Sequence, residues 1–118
     1  FRGPRILENA PVTTAQRPKA PKAGVRWTPE ALNGQPCEYC GVTMDMHHPW
    51  RRPTRDHIVP RSKGGTNVQI NLAPSCALCN ETKSDLRIGE FYNWLVENRD
   101  PRAERVGRFM AKLPKELL

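Results

Sequence analysis

The sequence predicts a small α+β domain in which two short strands, tied together by four cysteines, are followed by helices. Three observations predict it. The chain has 118 residues, the size of a single domain. Its four cysteines fall as two CxxC pairs, Cys37/Cys40 and Cys76/Cys79. After the second pair, apolar residues recur at helical rather than alternating spacing. Hydrophobic residues make up 37% of the chain and the mean hydropathy is -0.69, so the core is modest and needs a further stabiliser. The cysteines are the candidate.

Taken in order, residues 1–26 hold Pro4, Pro11, Pro18 and Pro21 with Arg2, Arg5, Arg17, Lys19, Lys22 and Arg26 against one acid, Glu8. Without apolar periodicity, this reads as a basic, proline-rich arm or linker. The domain is expected to span 27–118. It opens at Trp27 with Thr28 as a helix N-cap and Pro29 at the first helical position. Strand-like stretches follow at Arg55–Val59 and Leu72–Cys76, with Gly64-Gly65 as a flexible connection between them. The polar run Asn80-Glu81-Thr82-Lys83 suits a helix. Ile88, Phe91, Tyr92, Leu95 and Val96 predict a second helix over 86–98 with one apolar face. Asp100-Pro101 then reads as a cap and first-turn proline, and Val106, Phe109, Met110 and Leu113 form a third stripe stopped near Pro114. These stripes read as core. No internal repeat is present. The motif-bearing part is 37–83, and 84–118 is a helical extension.

A formal net charge of +7 predicts attraction to polyanions, because Lys and Arg that neutralise phosphates release condensed counterions. Nucleic acid is the leading partner class. A solvated basic face or an anionic membrane surface would carry the same charge. No apolar run approaches the ~20 residues that cross a bilayer, and the first residues lack the apolar core of a secretory signal. The reading is a soluble, cytoplasmic chain without a membrane partner. A start at Phe1 is expected of a processed product or a piece of a longer protein.

The CxxC pairs are separated by 35 residues. Two such knuckles can present four thiolates tetrahedrally, the arrangement of a closed structural zinc site, which would join distant segments and add its binding free energy to folding. Two disulfides or a redox CxxC are the alternatives. A redox motif should accompany a βαβ pattern, which is absent, and a disulfide scaffold usually shows spacings beyond paired knuckles. Zinc is preferred, but zinc knuckles serve many functions, so function must come from the residues between them.

Those residues are Thr54-Arg55-Asp56-His57-Ile58-Val59-Pro60-Arg61-Ser62-Lys63-Gly64-Gly65, then Asn71-Leu72, with the second knuckle running into Asn80-Glu81-Thr82-Lys83. From Cys37 to Lys83 the chain resembles the HNH endonuclease family: an Asp-His-Ile-x-Pro run, a Ser-Lys-Gly-Gly turn, an Asn-Leu pair and CxxC-Asn-x-x-Lys. The resemblance implies a zinc-stapled ββα-metal (HNH, or His-Me finger) core and a metal-dependent DNA endonuclease. It makes Asp56 and Asn80 ligands of a catalytic divalent ion, His57 the general base, and Asn71 the residue that holds the active-site loop and orients the histidine. It also implies products with 5′-phosphate and 3′-hydroxyl ends.

The chemistry agrees. Phosphodiester hydrolysis needs a water, a base for its proton, and positive charge beside the non-bridging and leaving oxygens, and a histidine with an ordinary pKa of ~6.5 can take that proton near neutrality. Adjacent side chains on a strand point to opposite faces, so Asp56 and His57 are expected to divide the work. Oxygen ligands from Asp56 and Asn80 suit Mg²⁺ or Mn²⁺ better than zinc. Asn71 can equally be a plain turn residue. Arg55, Arg61 and Lys63, with Arg51 and Arg52 nearby, are candidate contacts to a DNA backbone, and Lys83 is a candidate phosphate contact or a surface lysine. The expected substrate is double-stranded DNA. His47 and His48 are read as loop residues without a role, and Trp50 as packing, although it could stack on a base. A non-catalytic zinc-stapled nucleic-acid-binding module and the nuclease part of a toxin or effector are the competing functions.

Overall fold

The computed structural model describes residues 27–118; the expected basic arm over 1–26 lies outside them. Helix α1, Pro29–Leu32, begins as expected, with Thr28 Oγ1 accepting from Ala31 N at 3.2 Å and Pro29 in the first turn. Strands β1, Pro53–His57, and β2, Leu72–Cys76, pair antiparallel, with Asp56 opposite Ala73 and His57 opposite Leu72. β2 then runs directly into helix α2, Ala77–Lys83. The three elements form the expected ββα unit.

β2 lies where the sequence places it. β1 lies two residues earlier than the predicted Arg55–Val59, and a side chain from further along the sequence accounts for its early end. Ile58 N still donates to Asn71 O at 2.9 Å, but beyond it a side chain replaces the strand partner. Asn71 Oδ1 accepts from Val59 N at 2.8 Å, and Asn71 Nδ2 donates to Val59 O at 3.1 Å and to Thr66 O at 2.9 Å. Apolar Ile58 and Val59 are buried as in a strand, yet the Val59 backbone is held by a side-chain amide. Pro53 is tolerated because it is the first residue of a two-stranded sheet.

The connection between the strands turns at Gly64-Gly65. Gly64 has φ 93°, in the left-handed region. Gly65 is required for a different reason: a Cβ there would lie 1.7 Å from Val59 O. Its own N donates to Pro60 O at 2.9 Å. The expected flexible connection is therefore a closed loop with a backbone-to-backbone approach at its neck.

Helices α3, Ile88–Glu97, and α4, Arg102–Met110, form the helical extension. Ile88, Phe91, Leu95, Val106 and Phe109 are buried, and Tyr92, Met110 and Leu113 pack against them. Val96, expected on the same apolar face, is exposed. α4 starts one residue later than expected, with Pro101 rather than Asp100 at its cap, although Asp100 Oδ1 still accepts from Arg102 N at 2.9 Å. The core converges on Tyr39, inside the first cysteine knuckle, whose ring meets Phe91 and Phe109 edge-on at 5.7 and 5.9 Å between centroids. No described helix is long and apolar enough to cross a membrane.

Candidate active site and metal centre

The four cysteines meet. Cys37, Cys40, Cys76 and Cys79 are buried and unbridged, and their sulfur atoms lie within 4.8 Å of one another. Cys40 and Cys76 Sγ are 3.8 Å apart, which matches the ~3.8 Å edge of a tetrahedron with metal–sulfur bonds of ~2.3 Å. Backbone amides aim at the sulfurs as they would at thiolates: Tyr39 N and Cys76 N at Cys37, Val42 N at Cys40, and Cys79 N at Cys76, at 3.3–3.5 Å. Gly41, φ 79°, lets the first knuckle close. The donor set therefore fits a tetrahedral metal ion.

The sulfurs also act on one another. Burial opposes ionisation of Cys37, yet hydrogen bonds from the other three thiols and from the Cys76 backbone hold its thiol well below the usual range. Cys40 is pushed up, first by its hydrogen bond with Cys37, and Cys79 is pushed up first by burial.

A buried arginine from the helical extension faces this cluster. Arg102 of α4 donates from Nη1 to Cys79 Sγ at 3.6 Å and to Thr82 Oγ1 at 3.2 Å. It is paired with Asp100 Oδ2 at 2.7 Å and lies over the Phe91 ring. Burial works against its charge, but Asp100 and the Cys79 sulfur outweigh that and raise its pKa. One turn on, Arg105 Nε donates to Glu38 O in the first knuckle at 3.0 Å. Neither arginine stands out in the sequence, because a charged side chain on a helix reads as solvated.

The second site is an open cleft of about 440 Å³ in which Asp56, His57 and Asn80 come together with Arg55 and Arg61 on its wall. Asp56 is buried, and its Oδ2 is held on the inner side. It accepts from the Tyr39 hydroxyl and pairs with Lys83 Nζ at 3.1 Å. Burial raises its pKa, an effect that Lys83 opposes; burial likewise lowers Lys83, opposed by Asp56. Tyr39 is pushed well above the usual tyrosine range by burial and by Asp56, so it stays a donor. Among the described residues Asp56 Oδ1 takes no hydrogen bond, although no fully enclosed side-chain polar atom lacks a partner. Oδ1 is therefore on the cleft side.

Asn80 is prepared in the same way. Its Nδ2 donates to Thr54 Oγ1 at 3.0 Å, which orients the amide, and among the described residues Oδ1 is uncommitted. Two hard oxygen atoms thus line one cleft, an arrangement that fits Mg²⁺ or Mn²⁺.

His57 closes β1, and its Nε2 is 2.7 Å from Asn67 Oδ1. An amide oxygen accepts, so Nε2 carries the proton and the lone pair is at Nδ1. Strand alternation does separate Asp56 from His57 as expected, with Asp56 inward and His57 half-buried. They share a cleft because it opens at the strand's end. Among the described residues Asn71 makes no hydrogen bond to the imidazole; it holds the loop after it, through Val59 and Thr66.

Two expected DNA contacts sit elsewhere. Lys83 is fully buried and spends its amine on Asp56 and on His57 O at 2.9 Å, so a phosphate contact does not fit its placement. It is an internal brace between the two catalytic candidates. Lys63 pairs with Glu90 of α3 at 2.9 Å, which leaves Arg55 and Arg61 as the cleft's cations. His48 Nδ1 accepts from Trp50 N and Arg51 N, both at 3.1 Å, and so organises its loop. His47 is exposed. Sequence reasoning missed Tyr39, Thr54 and Asn67. Tyr39 fills a variable position of a CxxC and Asn67 a polar loop, and neither spacing advertises a role.

Two comparisons with known proteins found a likeness. Residues 37–86 match the model of the HNH endonuclease family. A CRISPR-associated endonuclease Cas9 from Actinomyces naeslundii is 40% identical over 55 residues, which is 46% of this chain and 5% of that protein. No solved structure matches. The matched segment takes in both cysteine knuckles, both strands and α2; residues 37–86 belong to the HNH endonuclease family.

Proposed function

We propose that this chain hydrolyses DNA phosphodiester bonds at the cleft formed by Asp56, His57 and Asn80, and that the four cysteines hold a structural zinc ion. The observation that carries the reading is the pair of uncommitted oxygens, Asp56 Oδ1 and Asn80 Oδ1, beside a histidine with its lone pair at Nδ1. Asp56 and Asn80 would hold Mg²⁺ or Mn²⁺, which supplies positive charge to the non-bridging and leaving oxygens of the phosphate. His57 Nδ1 takes a proton from the attacking water. The new bond forms between water oxygen and phosphorus, the P–O3′ bond breaks, and the 3′ oxygen takes a proton from solvent, giving 5′-phosphate and 3′-hydroxyl ends. Asn67 holds the imidazole in the required tautomer, Lys83 and Tyr39 hold Asp56 in place, and Arg55 and Arg61 meet the DNA backbone without reading sequence.

The test is plasmid cleavage. Nicked or linear product should form with Mg²⁺ or Mn²⁺ and stop with EDTA, and His57→Ala should cut about 10²–10⁴-fold more slowly while retaining DNA binding. Full activity in that variant would remove His57 from the mechanism. One observation favours a second reading, a nucleic-acid-binding module that does not cut: Lys83 and Tyr39 already satisfy half of the Asp56 carboxylate. Binding without cleavage across several divalent ions would establish it.

A further inference from the structure

The loop over residues 45–52 is closed on itself and fastened at both ends. Asp45 N donates to Arg51 O at 3.1 Å and His48 N to Asp45 O at 3.0 Å, while Asp45 Oδ1 accepts from His47 N at 2.9 Å. At the end of α1, Asn33 Oδ1 accepts from Met46 N at 2.8 Å. On the other side the loop is bound to the helix that carries Asn80: Leu78 N donates to Trp50 O at 3.1 Å and Ala77 N to Arg52 O at 3.0 Å, both in the first turn of α2. The loop also stands beside the catalytic cleft. Its residues Pro49 and Arg52 line a second open cleft, of about 670 Å³, and Asn80 lines both.

His48 holds this loop with one ring nitrogen and offers the other. Its Nδ1 accepts from Trp50 N and from Arg51 N, both at 3.1 Å. Backbone N–H groups only donate, so Nδ1 carries no proton and the ring proton is at Nε2. That makes Nε2 a donor. Among the described residues it meets no acceptor, and the side chain is half-buried, so its orientation is fixed while one edge reaches solvent. Arg51 and Arg52 follow on the same loop, and neither forms an ion pair among the described residues. A donor without an acceptor, on a loop that ends in two guanidinium groups, lies in a potential that favours an anion.

We propose that the His48 Nε2–H is a fixed, uncharged hydrogen-bond donor to a backbone phosphate of bound DNA. A donor held in place before binding loses little entropy when it is used. Being uncharged, it releases no condensed counterion, so its share of the affinity does not fade with salt as an arginine's does. The inference rests on DNA as the partner in the reading above; it does not rest on cleavage.

The probe is a fluorescein-labelled blunt DNA duplex, titrated at several salt concentrations without added divalent metal so that nothing is cut. His48→Asn keeps an acceptor, Oδ1, in the place of Nδ1 and removes the Nε2–H. It should melt with the wild type and bind about 2- to 10-fold more weakly, the worth of one hydrogen bond, by the same factor at every salt concentration. A lost arginine contact would instead flatten the plot of log affinity against log salt by about 0.9. Imidazole nitrogen NMR of the wild-type chain supplies a readout independent of any variant's folding, and it decides if His48→Asn melts lower. The proton should be at Nε2 before DNA is added, and saturation with the duplex should shift Nε2 more than Nδ1. Wild-type affinity in His48→Asn, a flatter salt plot for that variant, or an Nε2 resonance that DNA leaves in place overturns the contact. A chain that shows the shift but cuts no plasmid refutes the nuclease reading alone; one that cuts plasmid with Nε2 unmoved refutes the contact alone.

Discussion

The cysteine cluster and the Asp56–His57–Asn80 cleft are built on the same ββα unit in opposite ways. In the cluster every donor turns inward: four buried sulfurs, backbone amides aimed at them, and a guanidinium against one of them. Nothing there is left for a substrate. In the cleft each residue is held by one atom and offers another. Asp56 is anchored through Oδ2, Asn80 through Nδ2 and His57 through Nε2. The difference teaches how a small domain keeps a reactive site rigid. Tyr39, which sits in the first knuckle and reaches Asp56, ties the open site to the closed one.

That contrast can be broken, beginning at the closed site. Stripping metal from the cluster with a strong chelator, or replacing Cys79 with Ser, should abolish the cooperative thermal transition in circular dichroism. A structural zinc contributes ~10–16 kcal/mol, as much as the whole stability of a small domain, ~5–15 kcal/mol. Brief EDTA treatment that removes only an exchangeable ion at the cleft should stop cleavage and leave the melting curve in place. An unchanged melt in protein shown to be metal-free would refute the division of roles.

Next in size is the brace between Asp56 and His57. Lys83→Met leaves the Asp56 carboxylate buried without its cation, a change that costs about 3–5 kcal/mol. Denaturant titration should show a lower midpoint, with the metal content of the cluster unchanged. A surface phosphate contact would instead leave the midpoint alone and weaken DNA binding. The smallest effect belongs to Asn67. Losing its bond to His57 should slow cleavage about 2- to 10-fold, the worth of one hydrogen bond, with melting and DNA affinity unaffected. A rate equal to wild type would place tautomer control elsewhere.

The cluster was legible because metal ligation imposes a spacing: two CxxC pairs stay readable however the chain runs between them. β2 and the cap at Thr28 were legible because their causes are local. What escaped are contacts whose partners lie far along the chain. Tyr39 and Asp56 are 17 residues apart, and Arg102 and Cys79 are 23 apart. Lys83 was misplaced for a related reason. A lysine at a helix end reads as solvated, and only the buried carboxylate beside it turns the side chain inward. The early end of β1 has the same origin, since the Asn71 side chain takes over the hydrogen bonds that would have continued the strand.

The contact between Arg102 and Cys79 bears on where this module ends. A dication held by four thiolates would still carry net negative charge in a buried setting, and among the described residues a compensating cation, Arg102, comes from a helix beyond residue 86, where the family likeness stops. Likeness of sequence and electrostatic completeness therefore draw different borders. A fragment trimmed to the recognisable motif would keep all four cysteines and lose this cation, so transplanting the ββα unit into another protein requires carrying α4 with it.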